Sequence, residues 1–275
     1  MILSHLDMAT LLMLFNDRRW QRLIIKTFSK AFNDLLRVFV PDAAAFRELM
    51  RRTRAIISGA CGLWFMQGLS SDWTPDDLDV MTTGEGFAEV VKYLETDVGS
   101  TRSEQRAQPQ IADWNVCSDR VRLWTGRGHV NVLQSARESA LHVVPYYPST
   151  SLMNALNADA FITPYPSPTL GGQAIVGSGH GQQDIFRAQK AMGIRAVTRG
   201  ADVVDFRKGC RGSVLCGKTD RRFGDKECLM IQVGHGADEA LQYWSASDVT
   251  WKLGGLGCGN NRCFLPSHEY ELHTM

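Results

Sequence analysis

The sequence predicts an α+β fold: a small mixed β-sheet with flanking helices, a helical segment before it and an irregular Gly/Cys-rich tail behind it. Three observations carry this expectation. Apolar residues recur at three- and four-residue steps through residues 1–50, the spacing of helices with one buried face. Short apolar runs alternate with a helical stretch between residues 55 and 135, which suits a sheet with helices against it. After residue 209 glycine and cysteine crowd together and periodicity is lost. The expected organisation is therefore a helical segment over 1–50, an α+β domain over 51–205 and an extension over 206–275 packed on that domain.

The elements follow in order. Trp20, Leu23, Ile24 and Phe28, then Phe32, Leu35, Leu36 and Phe39, trace one helical face. Pro41-Asp42 breaks it, and Asp42 is placed to cap a helix over Ala43–Arg52. Ala55–Ser58 reads as a short strand, Gly59–Gly68 as a turn and helix, and Asp77–Met81 as a second strand. Gly84–Glu95 reads as a helix with Phe87, Val90, Val91 and Leu94 on one face, and 96–112 as a polar loop. Val121–Trp124 and Val130–Gln134 form a hairpin around Thr125–Gly128. The proline-rich run that follows is expected to be mostly loop, with a short helix near Ser151–Leu156. Asp184–Arg199 is a helix candidate, and the tail holds one strand at Cys228–Val233.

Composition narrows the function classes. The 275 residues carry a formal charge of +1, which argues against a strongly basic nucleic-acid binder. No apolar run is long enough to suggest a membrane span. Asp7 and Asp17 interrupt the N-terminal apolar stretch and no basic region leads it, so a secretion signal is not expected. The seven cysteines are odd in number, and a reducing, intracellular compartment, cytoplasmic or nuclear, fits them.

The chemistry concentrates in one stretch. Asp77 and Asp79 stand two apart on a strand, so both point to one face while Leu78 and Val80 point to the other. Two hard oxygen ligands on one face can hold Mg²⁺ together with the phosphates of a nucleotide. Upstream, the Ser58-Gly59-Ala60 turn opens a helix and offers backbone N–H groups to those phosphates. The other reading is a strand edge with solvated aspartates.

An apolar residue, Gly-(Gly/Ser), a spacer and then Asp-apolar-Asp-apolar is the pattern of the DNA polymerase beta-like nucleotidyltransferase superfamily. The stretches that resemble it here are Ile57-Ser58-Gly59-Ala60 and Asp77-Leu78-Asp79-Val80. The sequence also looks like an uncharacterised group of proteins from mushroom-forming fungi, through Met153-Asn154, Tyr165–Leu170 and the tail from Cys210. The resemblance implies a nucleotidyltransferase-like domain in which Asp77 and Asp79 hold Mg²⁺ and the Gly59-Ala60 turn seats the β/γ-phosphates of an NTP. It also implies a third carboxylate on a later strand, "HVNVLQS", where the matching position is Asn131. The chain departs from the pattern at three places. Ala60 stands where Ser or Gly is usual, the spacer between Ala60 and Asp77 holds sixteen residues, and Asn131 is a neutral amide. An amide is a poor general base, so either nucleotide transfer or a pseudoenzyme that binds nucleotide or serves as a scaffold fits the sequence.

Three further stretches carry alternatives. Ile2–Leu23 resembles a truncated F-box, with Arg18-Arg19-Trp20 behind its leucines. That resemblance implies docking on a ubiquitin-ligase adaptor through residues 1–40; the other reading is a helix pair packed on the chain's own core. Cys210, Cys216, Cys228, Cys258 and Cys263, with His235 and His268, can supply zinc ligands or be ordinary thiols. Gly177, Gly179 and Gly181 imitate a dinucleotide turn, but Gln182 stands where the last glycine belongs, and a loop before a helix is preferred. Arg122, Arg127 and His129 flank the strand that faces the aspartates and are candidates for triphosphate oxygens.

Overall fold

The computed structural model describes residues 6–67, 72–104, 114–177, 182–203, 214–217, 219–234 and 247–253, together with Leu3, Glu239 and residues 242–244. Helices α1 (Met8–Phe15), α2 (Arg18–Arg37) and α3 (Ala43–Thr53) lead the chain. Each begins on an aspartate, Asp7, Asp17 or Asp42, whose side chain accepts from backbone N–H groups of the first turn. Then come β1 (Ile56–Ser58), α4 (Ala60–Gln67), β2 (Asp77–Thr82), α5 (Gly84–Thr96), β3 (Thr101–Arg102), β4 (Cys117–Trp124) and β5 (His129–Ser135). A 3₁₀ turn over Ala140–Tyr146 leads to β6 (Ala155–Leu156), β7 (Ala160–Thr163), α6 (Pro166–Leu170), β8 (Gln173–Ile175), α7 (Gln182–Ala191) and β9 (Arg195–Val197). Strands β10 (Arg221–Arg222), β11 (Leu229–Gln232) and β12 (Thr250–Trp251) complete it.

Eight strands form one mixed sheet in the order β11-β7-β6-β1-β2-β5-β4-β3. The expected small sheet is thus a wide one. Its neighbours pair antiparallel except β2 and β5, which run parallel with Asp79 beside Asn131. Strand alternation then separates two cores. Ile57, Leu78, Val80, Val130 and Val132 join Phe28, Phe32, Phe46 and Leu94 under the helices. Ile56, Met81 and Leu133 point the other way, onto Val143, Val144, Tyr165 and Trp244.

Several segments differ from expectation. Residues 151–156 form no helix; β6 and β7 make a hairpin there, because Asn157 Oδ1 accepts from the N–H groups of Asp159 and Ala160 and closes the turn. The helix expected over 184–199 ends at Ala191. Gly193 takes φ +72° and Ile194 N–H returns to the carbonyl of Gln189, so the chain leaves the helix and enters β9. The tail carries β10 and β12 besides β11, and β11 is an edge strand of the main sheet. The division expected at 205/206 therefore cuts through one sheet.

The N-terminal helices share the core of the sheet. Arg47 of α3 ties them down: it donates to the carbonyls of Ala158 and Val233, to Ser29 Oγ and to Asn33 Oδ1. Arg51 grips Asp159 with two bonds of 2.7 Å. Among the described residues, no helix is long and apolar enough to cross a membrane.

Candidate functional site

Polar side chains replace apolar ones at one end of the face that carries Ile56, Met81 and Leu133. Ser58, Asp79, Asn131 and Arg122 stand side by side across β1, β2, β5 and β4. Asp77 and His129 form the next row outward. Backbone pairing alone thus brings both aspartates and Asn131 together. Asn131 Nδ2 donates to Asp77 Oδ2 at 2.9 Å and to Asp79 Oδ1 at 2.8 Å. Tyr147 Oη donates to Asp79 Oδ2 at 2.9 Å.

Asp79 and Asn131 are buried, while the Asp77 side chain is 27% exposed and forms the open side. Burial and the neighbouring Asp77 carboxylate push the Asp79 carboxyl up to about 7, against the bonds from Asn131 and Tyr147 and the charge of Arg122. Burial beside Asp79 also holds the Tyr147 phenol far above its ordinary range, so it stays a proton donor. The Cys61 thiol is raised well above its usual value by burial, and Asp79 and Asp77 add to that. It remains a neutral thiol, directed at the carbonyl of Asp77 at 3.3 Å, and offers no nucleophile.

The turn before α4 presses on the same carboxylate. Gly59 has φ +67°, and a Cβ there would lie 2.7 Å from Tyr147 Oη and 2.8 Å from Asp79 Oδ2. Glycine is required on both counts. Ala60 begins α4, so the first-turn N–H groups of that helix start beside Asp79. Ser58 plays a different part from the one its position suggested. Its hydroxyl is buried and donates to the carbonyl of Asn154, with that of Leu152 at 3.4 Å. It ties β1 to the chain entering β6 and is not directed outward.

Of the flanking cations, Arg122 reaches the site: Nη1 lies 3.6 Å from Asp77 Oδ2 and 3.4 Å from Asn131 Oδ1. His129 packs tilted against Trp124, ring centroids 4.9 Å apart, and burial and Arg122 lower its pKa. Arg127 turns away to the carbonyl of Arg37. The carboxylate of Asp119, next along β4, sits exposed opposite Gln134 and does not join the pair; Asp113 lies outside the described residues. Tyr147 was not foreseen, because it lies in a proline-flanked run without period. Its only sequence signal is an aromatic pair, Tyr146-Tyr147, just after the site-bearing strand.

Among the described residues, no group of three or more His, Cys, Asp or Glu side chains gathers around a common point. Asp77 and Asp79 are two hard anionic oxygen ligands, and the amide of Asn131 offers a neutral oxygen if it turns over. That donor set suits a divalent cation of the Mg²⁺ kind. It holds no ready general base beyond the pair itself.

The other candidates fall partly out of view. Cys210, Cys258, Cys263, His235 and His268 lie outside the described residues, as do Gly179, His180 and Gly181. Cys228 is described, and burial raises its thiol to about 11, against the pull of Arg221. In the F-box-like stretch, Leu3, Met8 and Leu11 are buried in the chain's own core, as are Ile24 and Phe28 just beyond it, and Trp20 is 39% exposed. Compared with protein-family models, curated proteins and solved structures, the chain matches none.

Proposed function

We propose that this chain binds a Mg²⁺–nucleoside triphosphate at Asp77 and Asp79 and does not transfer the nucleotide. The observation behind this reading is that Asp77 and Asp79 converge on Asn131, with Arg122 beside it; in the superfamily pattern this stretch resembles, a third carboxylate would stand where Asn131 does. Asp77 and Asp79 would hold the Mg²⁺, which would supply the positive charge that offsets the carboxylates and the triphosphate. Asp77 lies on the open side of the pair. Asp79 must give up its proton to ligate. Asn131 presents Nδ2 to both carboxylates in the described arrangement, and a half-turn of its amide presents Oδ1 instead. The positive-φ turn at Gly59 lets backbone N–H groups of α4 approach the phosphates. Transfer onto a hydroxyl needs a base to take its proton, and an amide cannot serve.

The test is calorimetry of MgATP and MgGTP on the wild type and on an Asp77→Asn/Asp79→Asn double variant. Binding is expected to need both the metal and the aspartates, and to tighten as pH rises through about 7, where Asp79 loses its proton. No wild-type binding at millimolar nucleotide sinks the reading. A second reading, a protein scaffold without nucleotide, is favoured by one observation: both Asp79 oxygens already accept hydrogen bonds from neutral side chains of the chain itself. That outcome of the titration would select it.

A further inference from the structure

We infer that Arg122 stands in for a second cation at this site, so that the carboxylate pair takes one divalent ion and the guanidinium meets the anionic group that ion brings. The inference rests on the nucleotide reading for the phosphate contact, but not for the one-ion stoichiometry.

The strand register places Arg122 beside the carboxylate pair. Arg122 faces Asn131 directly across β4 and β5, on the face that carries the aspartates. Its Nη1 lies within 4 Å of both Asp77 Oδ2 and Asn131 Oδ1, at 3.6 and 3.4 Å. These distances are those of a charge poised near its partner rather than of a closed fork, since a bidentate carboxylate pair closes to about 2.8 Å. The side chain is 16% exposed, and its Nε is buried with no acceptor among the described residues. A buried guanidinium nitrogen without an acceptor is costly. An incoming phosphate or carboxylate oxygen that draws the fork toward it would relieve that cost. His129 and Trp124 stand beside it at the open end of the row, with Trp124 44% exposed.

Charge counting gives the same answer. Two ionised aspartates and Arg122 sum to one negative charge. One divalent ion turns that into one positive charge, which suits a polyanion. A second divalent ion would leave three positive charges in a largely buried place, and desolvation makes that unfavourable. With a third carboxylate the balance would allow two ions; with Asn131 and Arg122 it allows one.

The experiment is a Mn²⁺ titration followed by electron paramagnetic resonance on the full chain, as wild type, Arg122→Gln and Arg122→Lys, with and without ATP. The wild type is expected to hold one Mn²⁺ per chain in both conditions. Arg122→Gln removes the competing charge and is expected to bind Mn²⁺ alone about tenfold more tightly, while binding ATP in the presence of Mn²⁺ about tenfold more weakly. Arg122→Lys keeps the charge but not the fork, so its Mn²⁺ affinity stays near wild type and its ATP affinity falls between the two. Two Mn²⁺ per wild-type chain, or unchanged Mn²⁺ affinity in Arg122→Gln, overturns the inference even if nucleotide binds. No ATP binding, with the Mn²⁺ results as expected, removes the nucleotide reading and leaves Arg122 as the built-in cation. No Mn²⁺ bound by any of the three variants rejects both.

Discussion

Two buried carboxylates lie on opposite sides of this sheet and are treated very differently. Asp159, at the turn between β6 and β7, receives two 2.7 Å bonds from Arg51 and has Arg47 at 3.8 Å. Asp79 has a second carboxylate beside it, neutral donors on both oxygens and, as the cation near it among the described residues, Arg122, which lies nearer to Asp77. The first is a finished structural clasp. Burial pulls the Arg47 guanidinium down and Asp159 holds it up, while the grip of Asp159 raises that of Arg51. Even the adjoining backbone is fitted to it, since a Cβ on Gly234 would fall 2.0 Å from Asp159 Oδ1. The second is short of positive charge. A buried anion that its own protein leaves under-compensated is what a cation-binding site requires before the cation arrives.

Breaking the clasp should have the largest effect. Asp159→Asn strands Arg47 in the core and is expected to cost about 3–5 kcal/mol of unfolding free energy in a denaturant titration. A loss below about 1 kcal/mol would mean that water, not Asp159, compensates Arg47.

The same substitution at the other carboxylate should act in the opposite direction. A carboxyl whose folded pKa lies above its unfolded value binds its proton more tightly when folded, so stability falls as pH rises from about 3.8 to about 7. Asp79→Asn keeps an acceptor for Tyr147 and removes the charge. It is expected to gain about 1–3 kcal/mol at pH 8 and to lose that pH slope. Parallel slopes for variant and wild type between pH 4 and 7 would show that Asp79 is not the group responsible.

The smallest change sharpens the contrast further. Tyr147→Phe removes one neutral donor from Asp79 and should cost about 1 kcal/mol at pH 8. It should also move the Asp79 titration higher, which carboxyl-carbon NMR would detect. An unmoved titration would mean that burial and Asp77 alone set it.

How much of this was legible depends on range. The helices over 8–53 and 84–96 follow from apolar spacing, and α3 also from its Asp42 cap, which are local signals. The convergence of Asp77 and Asp79 follows from strand alternation. Asn131 became a candidate only through the superfamily resemblance, which expects a carboxylate on a later strand and matches that strand to "HVNVLQS". The hairpin β6–β7 was hidden because its strands are short and sit between prolines. Arg122 was a candidate among three, and only the pairing of β4 with β5 separates it from Arg127. Tyr147 and the Ser58–Asn154 bond rest on contacts between distant segments, which no local pattern encodes.

The single parallel pairing in the sheet has a consequence for the order of folding. The bonds that build the site join residues 52, 54 and 68 positions apart, Asn131 to Asp79, Asn131 to Asp77 and Tyr147 to Asp79. A parallel partner can be reached only after an intervening crossover, here the stretch with α5, has been laid against the sheet. Contacts of such long separation form slowly, because the loop between them must be closed first. The helical layer over 8–53 can therefore collapse early on local signals, while the carboxylate pair acquires Asn131 and Tyr147 near the end. A ligand that needs the finished row will recognise only chains that have completed that last step.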